Sequence, residues 1–312
     1  MPDSSKRGGI LAKIESVYGT DPVPTGATNA IAVINPQYSA DFTLNERDQI
    51  LRDSLSRLSA VVGIKLARLT FGVEMKGSGT AGTPARHGVL HRMCGMSETV
   101  VAVTSVTYAP INSGFESGTV YWYDGSKLYK ITGAYASCRI VEEVGNFGRF
   151  EFSVLGIWNQ PTDAAIPSMT LDATRAQPVI NLGLTIGGYT PVGSSLNIDM
   201  NVAIGRRLDF NSTTGLKGVQ ITGRGVGGTL DIETVTEATY PAWANAAAGT
   251  EGALAGNLIS GSAGNRVAVT SPKIQLEAPQ QAETESIRHN QIGVRFNPSV
   301  DSASDEISIA YS

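Results

Sequence analysis

Apolar and polar residues alternate along most of this chain. From residue 30 onward, β-branched and aromatic runs dominate: "AIAVIN", "ARLTFGVEM", "SVTYAP", "GTVYWY", "KLYKIT", "CRIVEEV" and "RFEFSVLGIW". A period near two turns one side of each run to a core and the other to water, so the pattern predicts strands. In "YWYDGSKLY" the pair Asp124-Gly125 separates two such runs. Asp-Gly tolerates the positive φ angles of a type I′ turn, which predicts a hairpin there. Helical spacing is scarce. One short helix is expected from Pro84 to Gly95, with Thr83 as cap, Pro84 at the first position, and Val89, Leu90, Met93 and Cys94 on one face. Another is expected over "GILAKIESVYG", where Ile10, Ile14 and Val17 share a side and Gly19 is the stop. The following "TDPVPTGATNA" is full of prolines and turn formers and reads as irregular.

The order of elements occurs twice. Strand "LTFGVEM" leads to helix "TPARHGVLHRMCGM", then to "KITGAYASCRIVEEV" and "RFEFSVLGIWNQPTDAAIPS". Strand "TLDIETV" leads to "YPAWANAAAGT", then to "VAVTSPKIQLEA" and "SIRHNQIGVRFNPSVDS". Both series place a proline-opened helix after a strand, and both close on a long strand: Trp158-Asn159-Gln160-Pro161 against Phe296-Asn297-Pro298. The second series lacks about twenty residues between its helix and its next strand, a gap assigned to the Asp-Gly hairpin. A repeat of this size predicts duplicated domains. The expected division is an N-terminal arm over 1–27, a first domain over 28–165 and a second over 166–312, joined near "QPTDAAIPSM". The fold class is mainly β: two tandem β-sandwich or barrel domains, each with one short α-helix.

Composition adds an expectation about surroundings. Only 17% of the 312 residues are charged, and 35 are glycine. A free monomer normally keeps its surface charged, so a low value suggests a surface covered by other protein. Residues 1–165 hold 15 basic and 15 acidic side chains, and residues 166–312 hold 9 and 13, which accounts for the net −4. No basic patch is large enough to grip phosphates tightly. No apolar run approaches the length of a membrane span, and the first residues carry no signal-peptide core. Cys94 and Cys138 make neither a disulfide framework nor a metal spacing and are expected as reduced, buried thiols of a protein made in a cytosol.

Candidate chemistry is thin. Gly77, Gly79 and Gly82 in "MKGSGTAGTPARHG" spell the G-x-G-x-x-G of a dinucleotide loop, after an apolar strand. A chain this rich in glycine supplies such a match by chance, and a second one, Gly223, Gly225 and Gly228, runs straight into a strand. Hairpins rather than a parallel βαβ unit follow the first match, so the expected role is a tight connection at a subunit surface, with no cofactor. His87 and His91 have the i, i+4 spacing of two metal ligands without a third; surface or interface histidines are expected, and no metal site. No nucleophile elbow occurs, and no catalytic residue is assigned. The alternating charges of "NERDQILRDSLSR", Glu46 to Arg57, read either as a solvated helix face or loop, or as ion pairs between subunits, with Arg206-Arg207 at a comparable place in the second series. Tyr121, Trp122, Tyr123 and Tyr129 lack the interleaved basic groove of a base-stacking site and are expected to pack one hairpin on another.

Extended segments carry a resemblance. "ILAKIESVYGTDPVPTGATNAI", "MKGSGTAGTPARHGVLHRMCGMSETV" and "TSVTYAPINSGFES" closely resemble the tail tube (major tail) proteins of long, non-contractile-tailed bacteriophages; "GVQITGRGVGGTLDIET", "PKIQLEAP" and "EISIAYS" match more loosely. In "LNERDQILRDSLSRLSAVVG" the chain departs from the more Gly- and Pro-rich loop of that family. The resemblance implies tail-tube-type β-sandwich domains whose hairpins join those of neighbours into an inner β-barrel. It implies rings stacked helically into the virion's tail tube, assembled in the host bacterial cytoplasm, and a lumen through which genomic DNA passes without sequence-specific binding. It also implies tape measure and tail-end proteins as partners, and no membrane. Two domains per chain predict a trimeric ring of pseudo-six-fold symmetry, with a hexamer as the alternative. The rival readings are another self-assembling β protein (decoration or minor tail) and a nucleotide-binding enzyme using the Gly77–Gly82 loop.

Overall fold

The computed structural model describes residues 7–312. Its strands are β1 (Gly8–Ile14), β2 (Ala30–Ile31), β3 (Ile34–Asn45), β4 (Val61–Glu74), β5 (Met96–Val101), β6 (Ser105–Pro110), β7 (Gly118–Asp124), β8 (Lys127–Glu143), β9 (Arg149–Trp158) and β10 (Thr162–Asp163). They continue with β11 (Thr185–Ile186), β12 (Gly193–Asp199), β13 (Ala203–Leu208), β14 (Leu216–Gly223), β15 (Gly227–Glu233), β16 (Glu251–Ile259), β17 (Val267–Leu276), β18 (Gln280–Thr284), β19 (Ile287–Asn297) and β20 (Ser308–Tyr311). Two short helices, α1 (Gly88–Met93) and α2 (Ala242–Ala248), follow β4 and β15. The mainly β expectation holds, with one helix in each half.

Every strand pairing is antiparallel, and β13 and β14 form a hairpin of their own. The other strands make one branched ladder. Its spine runs β3–β4–β9–β8–β12–β15–β19–β17–β16–β11. The long strand β8 sits at its centre. One edge of β8 meets β9 from Ile131 to Val141. The other meets β7 up to Ala134 and then β12 from Arg139 to Glu143. From β7 the ladder branches to β1 and β2. From β17 it branches through β20 to β6 and β5, so the last strand of the chain is bound to the first half.

The strand boundaries follow the sequence pattern closely. "SVTYAP" and "RFEFSVLGIW" are β6 and β9 without adjustment. "KLYKIT" and "CRIVEEV" merge into β8, because Ile131 to Ala136 is buried without interruption and so has no polar break. The β7–β8 hairpin forms as expected, with Asp124 opposite Lys127 and Gly125, at φ 59°, opening the two-residue loop. The residues about "YPAWANAAAGT" give α2, closed by Gly249 in the left-handed region.

Three expectations fail. No helix forms in "GILAKIESVYG": residues 8–14 are β1, whose edges are taken by β7 and β2. Its two faces go to different cores. Ile10 joins the main apolar cluster, while Leu11 joins a satellite of Ala30, Tyr121, Tyr123 and Leu128. Tertiary pairing outweighs the helical spacing, since a helix this short gains little from its own bonds. The described part of the 1–27 arm is thus woven into the sheet, and Met1–Lys6 lie outside the described residues. The α1 helix starts later than expected. Its N-cap is His87, without a side-chain capping bond, and Thr83 and Pro84 precede it in irregular backbone. Finally, what separates the halves is not the Asp-Gly hairpin. β16 follows α2 directly and pairs with β17 as β7 pairs with β8. The first half carries the β5–β6 hairpin between its helix and its next strand, where the second half carries none.

After β1 the chain turns on Glu15, which is buried yet fully partnered. Its carboxylate accepts from Ser117 Oγ at 2.7 Å, Thr119 Oγ1 at 2.6 Å, and the backbone N–H groups of Gly19 and Gly133, both at 2.7 Å. Tyr18 then reaches across to Val219 of β14: its hydroxyl accepts from that residue's N–H at 2.7 Å. Replacing Glu15 with Ala leaves three buried donors, and the half-buried Gly19 N–H, without an acceptor. We expect Glu15→Ala to lower unfolding stability by about 3 kcal/mol, read as a shift in the urea midpoint. A midpoint unchanged from wild type contradicts the anchoring role.

Candidate functional site

The Gly77–Gly82 loop is a packed joint. The Gly77 N–H donates to Asn265 Oδ1 at 2.8 Å, and the Gly79 N–H donates to the Gly264 carbonyl at 3.0 Å. These are the groups a phosphate cradle needs free, and both are committed to the loop between β16 and β17. Asn265 also donates from Nδ2 to the Arg175 carbonyl at 3.0 Å. Lys76 is buried beside it and donates to the carbonyls of Asp172 and Thr174. A Cβ on Gly77 would stand 2.0 Å from the Gly264 oxygen, so glycine is required here for close backbone approach. Gly77 and Gly79 therefore join two parts of the same chain, with Gly77 buried and Gly79 exposed.

His87 and His91 correct the sequence expectation more sharply. Both are buried, on and just before α1, with their Nε2 atoms 2.9 Å from the hydroxyl of Tyr311. The Tyr311 hydroxyl carries one proton, so it donates to one ring and accepts from the other. His91 lies among the rings of Tyr108, Phe150 and Phe152. Burial pushes His87 down to about 4, and burial with the neighbouring His87 holds His91 well below the usual range. The helix brings the pair together, as the i, i+4 spacing requires, but toward a core tyrosine. Among the described residues no cluster of three His, Cys, Asp or Glu side chains has the arrangement of a metal site. Cys94 and Cys138 are buried free thiols, as expected, with burial raising both.

The charged and aromatic candidates resolve into surface and packing roles. Residues 46–60 form an exposed loop, not a helix. Arg57 pairs with Glu46 within that loop. Arg206 on β13 reaches Asp41 on β3 at 2.7 Å, bringing the β13–β14 hairpin beside the β3–β4 hairpin. Tyr38 of β3 lies 4.7 Å from Tyr129 and 5.9 Å from Trp122, between ring centroids, so the aromatic set does pack one hairpin on another. Tyr121 and Tyr123 face the opposite way, into the satellite core.

Two features gave no sequence signal. Glu142 on β8 is buried at the joint with β12, and neither carboxylate oxygen meets a hydrogen-bonding partner among the described residues. It borders an apolar cavity of about 300 Å³ lined by Val144, Val179, Leu196 and Ile232. Burial alone raises it to about 8. Tyr311, near the end of "EISIAYS", meets the histidines only through pairings more than two hundred residues apart in sequence. The surface complements this inward chemistry. β3 and β18 each have a single ladder partner among the described residues, β4 and β19, and leave their other backbone edges open.

Buried polar groups committed to packing, few charges and open strand edges define a structural β-protein suited to association. The family comparison agrees: the profile of the phage tail tube proteins matches residues 5–296. The chain belongs to that family, and its role is structural, as a virion component of the phage tail tube. No individual curated protein matches it. Among the described residues no helix is long and apolar enough to cross a membrane.

Two outcomes follow from these geometries. Gly77→Ala must displace the 261–265 loop, and we expect a loss of about 2 kcal/mol, measured by thermal or urea unfolding, because the obstructing atom is backbone. Between pH 4.5 and 8 folded Glu142 keeps a proton that the unfolded chain releases, so its contribution to stability falls as pH rises through that window. Glu142→Gln should remove this loss, gaining roughly 3 kcal/mol on wild type at pH 8 relative to pH 5. Parallel pH profiles for the two proteins would contradict the assignment.

Proposed function

We propose that this chain is the major tail protein of a siphophage and polymerises as stacked rings into a tube that conducts DNA into the host. The tube reading rests on family membership across nearly the whole chain. The ring geometry rests on one observation, the strand order. β3–β4–β9–β8–β7 and β12–β15–β19–β17–β16 are the same antiparallel series, with a helix after the second strand of each. Within them Ile131 faces Trp158 and Ile274 faces Phe296; Lys130-Ile131 corresponds to Lys273-Ile274, and Trp158-Asn159 to Phe296-Asn297. This supports a tandem duplication, 28–165 and 166–312, of tail-tube-type sandwich or barrel domains.

Two domains per chain let three chains supply a six-fold ring, with a hexamer of whole chains as the alternative. The net charge of −4 suits a conduit, because a basic wall would hold DNA by its phosphates. The chain's partners in this reading are itself, then the tape measure and tail-end proteins, with the DNA passing unread. Assembly takes place in the host cytoplasm. Electron cryomicroscopy of the purified protein tests the reading. Tubes with three chains and six similar densities per ring are expected. Six whole chains per ring would refute the trimer, and a monodisperse monomer at high concentration would refute the tube.

A further inference from the structure

The two halves of the chain are joined edge to edge where β12 adds to the second half of β8. Ser195 faces Glu143, Asn197 faces Val141 and Asp199 faces Arg139. In the tandem reading above, β12 is the first strand of the second repeat and β8 the receiving strand of the first. The corresponding strands at the outer ends are β3, the first strand of the first repeat, and the β17–β18 segment of the second. The outer edges of β3 and β18 are open, whereas β17 is paired on both sides, with β19 and with β16. In the register below, the stretch Ser39–Thr43 of β3 and the strand β18 lie against each other without a Pro or Lys in either, the residues that commonly blunt a strand edge.

From these facts we infer that the free edge of β3 adds antiparallel to the free edge of β18 of a second copy of this chain, in the register of the internal β8–β12 joint. That register can be read residue by residue. In the first repeat Ser39 faces Arg68, which faces Leu155, three residues before Trp158. In the second, Asn197 faces Thr229, which faces Gly293, three residues before Phe296. Ser39 therefore corresponds to Asn197. On the other side Val141 faces Arg149, nine residues before Trp158, and Thr284 faces Ile287, nine residues before Phe296. Each of these receiving segments carries one extra residue, between Thr132 and Tyr135 and between Leu276 and Gln280, so the correspondence stays in step. Thr284 therefore corresponds to Val141. Since Asn197 faces Val141, Ser39 of one copy faces Thr284 of the next, with Asp41 opposite Ala282.

The contact is heterologous: each copy gives one edge and receives on the other, so it propagates in one direction and closes where the rotation allows. It continues one antiparallel ladder from chain to chain. Side chains sit as the internal joint has them. Tyr38 occupies the place of buried Leu196 and turns inward toward Trp122, while Ser39 is exposed like Thr284.

The test is a double variant, Ser39→Cys with Thr284→Cys, in the full chain. Both native thiols are buried and should stay silent. Oxidation, or a short bis-thiol reagent, should link most chains into covalent oligomers on non-reducing gels. The off-register pair Ser39→Cys with Gln280→Cys displaces one thiol by four residues, about 13 Å, and should link at least tenfold less. Wild-type tubes should also gain amide-exchange protection over residues 37–43 and 280–284 relative to dissociated protein. Tubes that form normally, yet link both cysteine pairs equally or leave these amides unprotected, overturn the joint while the tube reading stands. A chain that stays monomeric overturns both.

Discussion

Strand β8 cannot leave either of its backbone edges unpaired. Ile131 to Ala136 is buried throughout, and an unpartnered N–H or C=O there would cost about 1–3 kcal/mol. One edge is satisfied by β9. The other is longer than its pairing with β7, which stops at Ala134, and β12 from the second half of the chain takes it from Arg139 to Glu143. That requirement makes one ladder of two series of strands. It also places Glu142 against Leu196 at the seam, where its carboxyl stays protonated to about pH 8 for want of a partner.

Around this spine the polar side chains that look like candidates for chemistry are spent on holding the fold. Glu15 collects four donors and fixes the turn after β1. His87 and His91 share the hydroxyl of Tyr311. Asn265 and Gly264 occupy the N–H groups of the glycine loop. The low charge of the chain belongs to the same account, since a surface destined for protein contact gains little from solvated ions.

Much of the fold was legible in the residues. Strands such as "RFEFSVLGIW" announce themselves by alternation, the β7–β8 turn by Asp124-Gly125, and α2 by the proline that opens it. The element order in the two halves was legible too, as was the family, because extended stretches rather than single motifs carry the likeness. The errors fell where local preference and long-range pairing conflict. "GILAKIESVYG" has helical spacing, yet β7 and β2 offered it two edges.

The candidate chemistry divides the same way. The sequence by itself determined that the thiols are apolar and buried, that His87 and His91 share a helix face, and that Gly77 needs room for its backbone. It did not determine what each faces. Tyr311, Asn265 and Glu142 acquire their roles only when residues far apart in the chain become neighbours, and no local pattern encodes a distance of that kind. Alternation fixes which side of a strand is apolar; only the tertiary structure decides which other strand lies beside it, because every antiparallel edge offers the same N–H and C=O groups and packing alone selects among them.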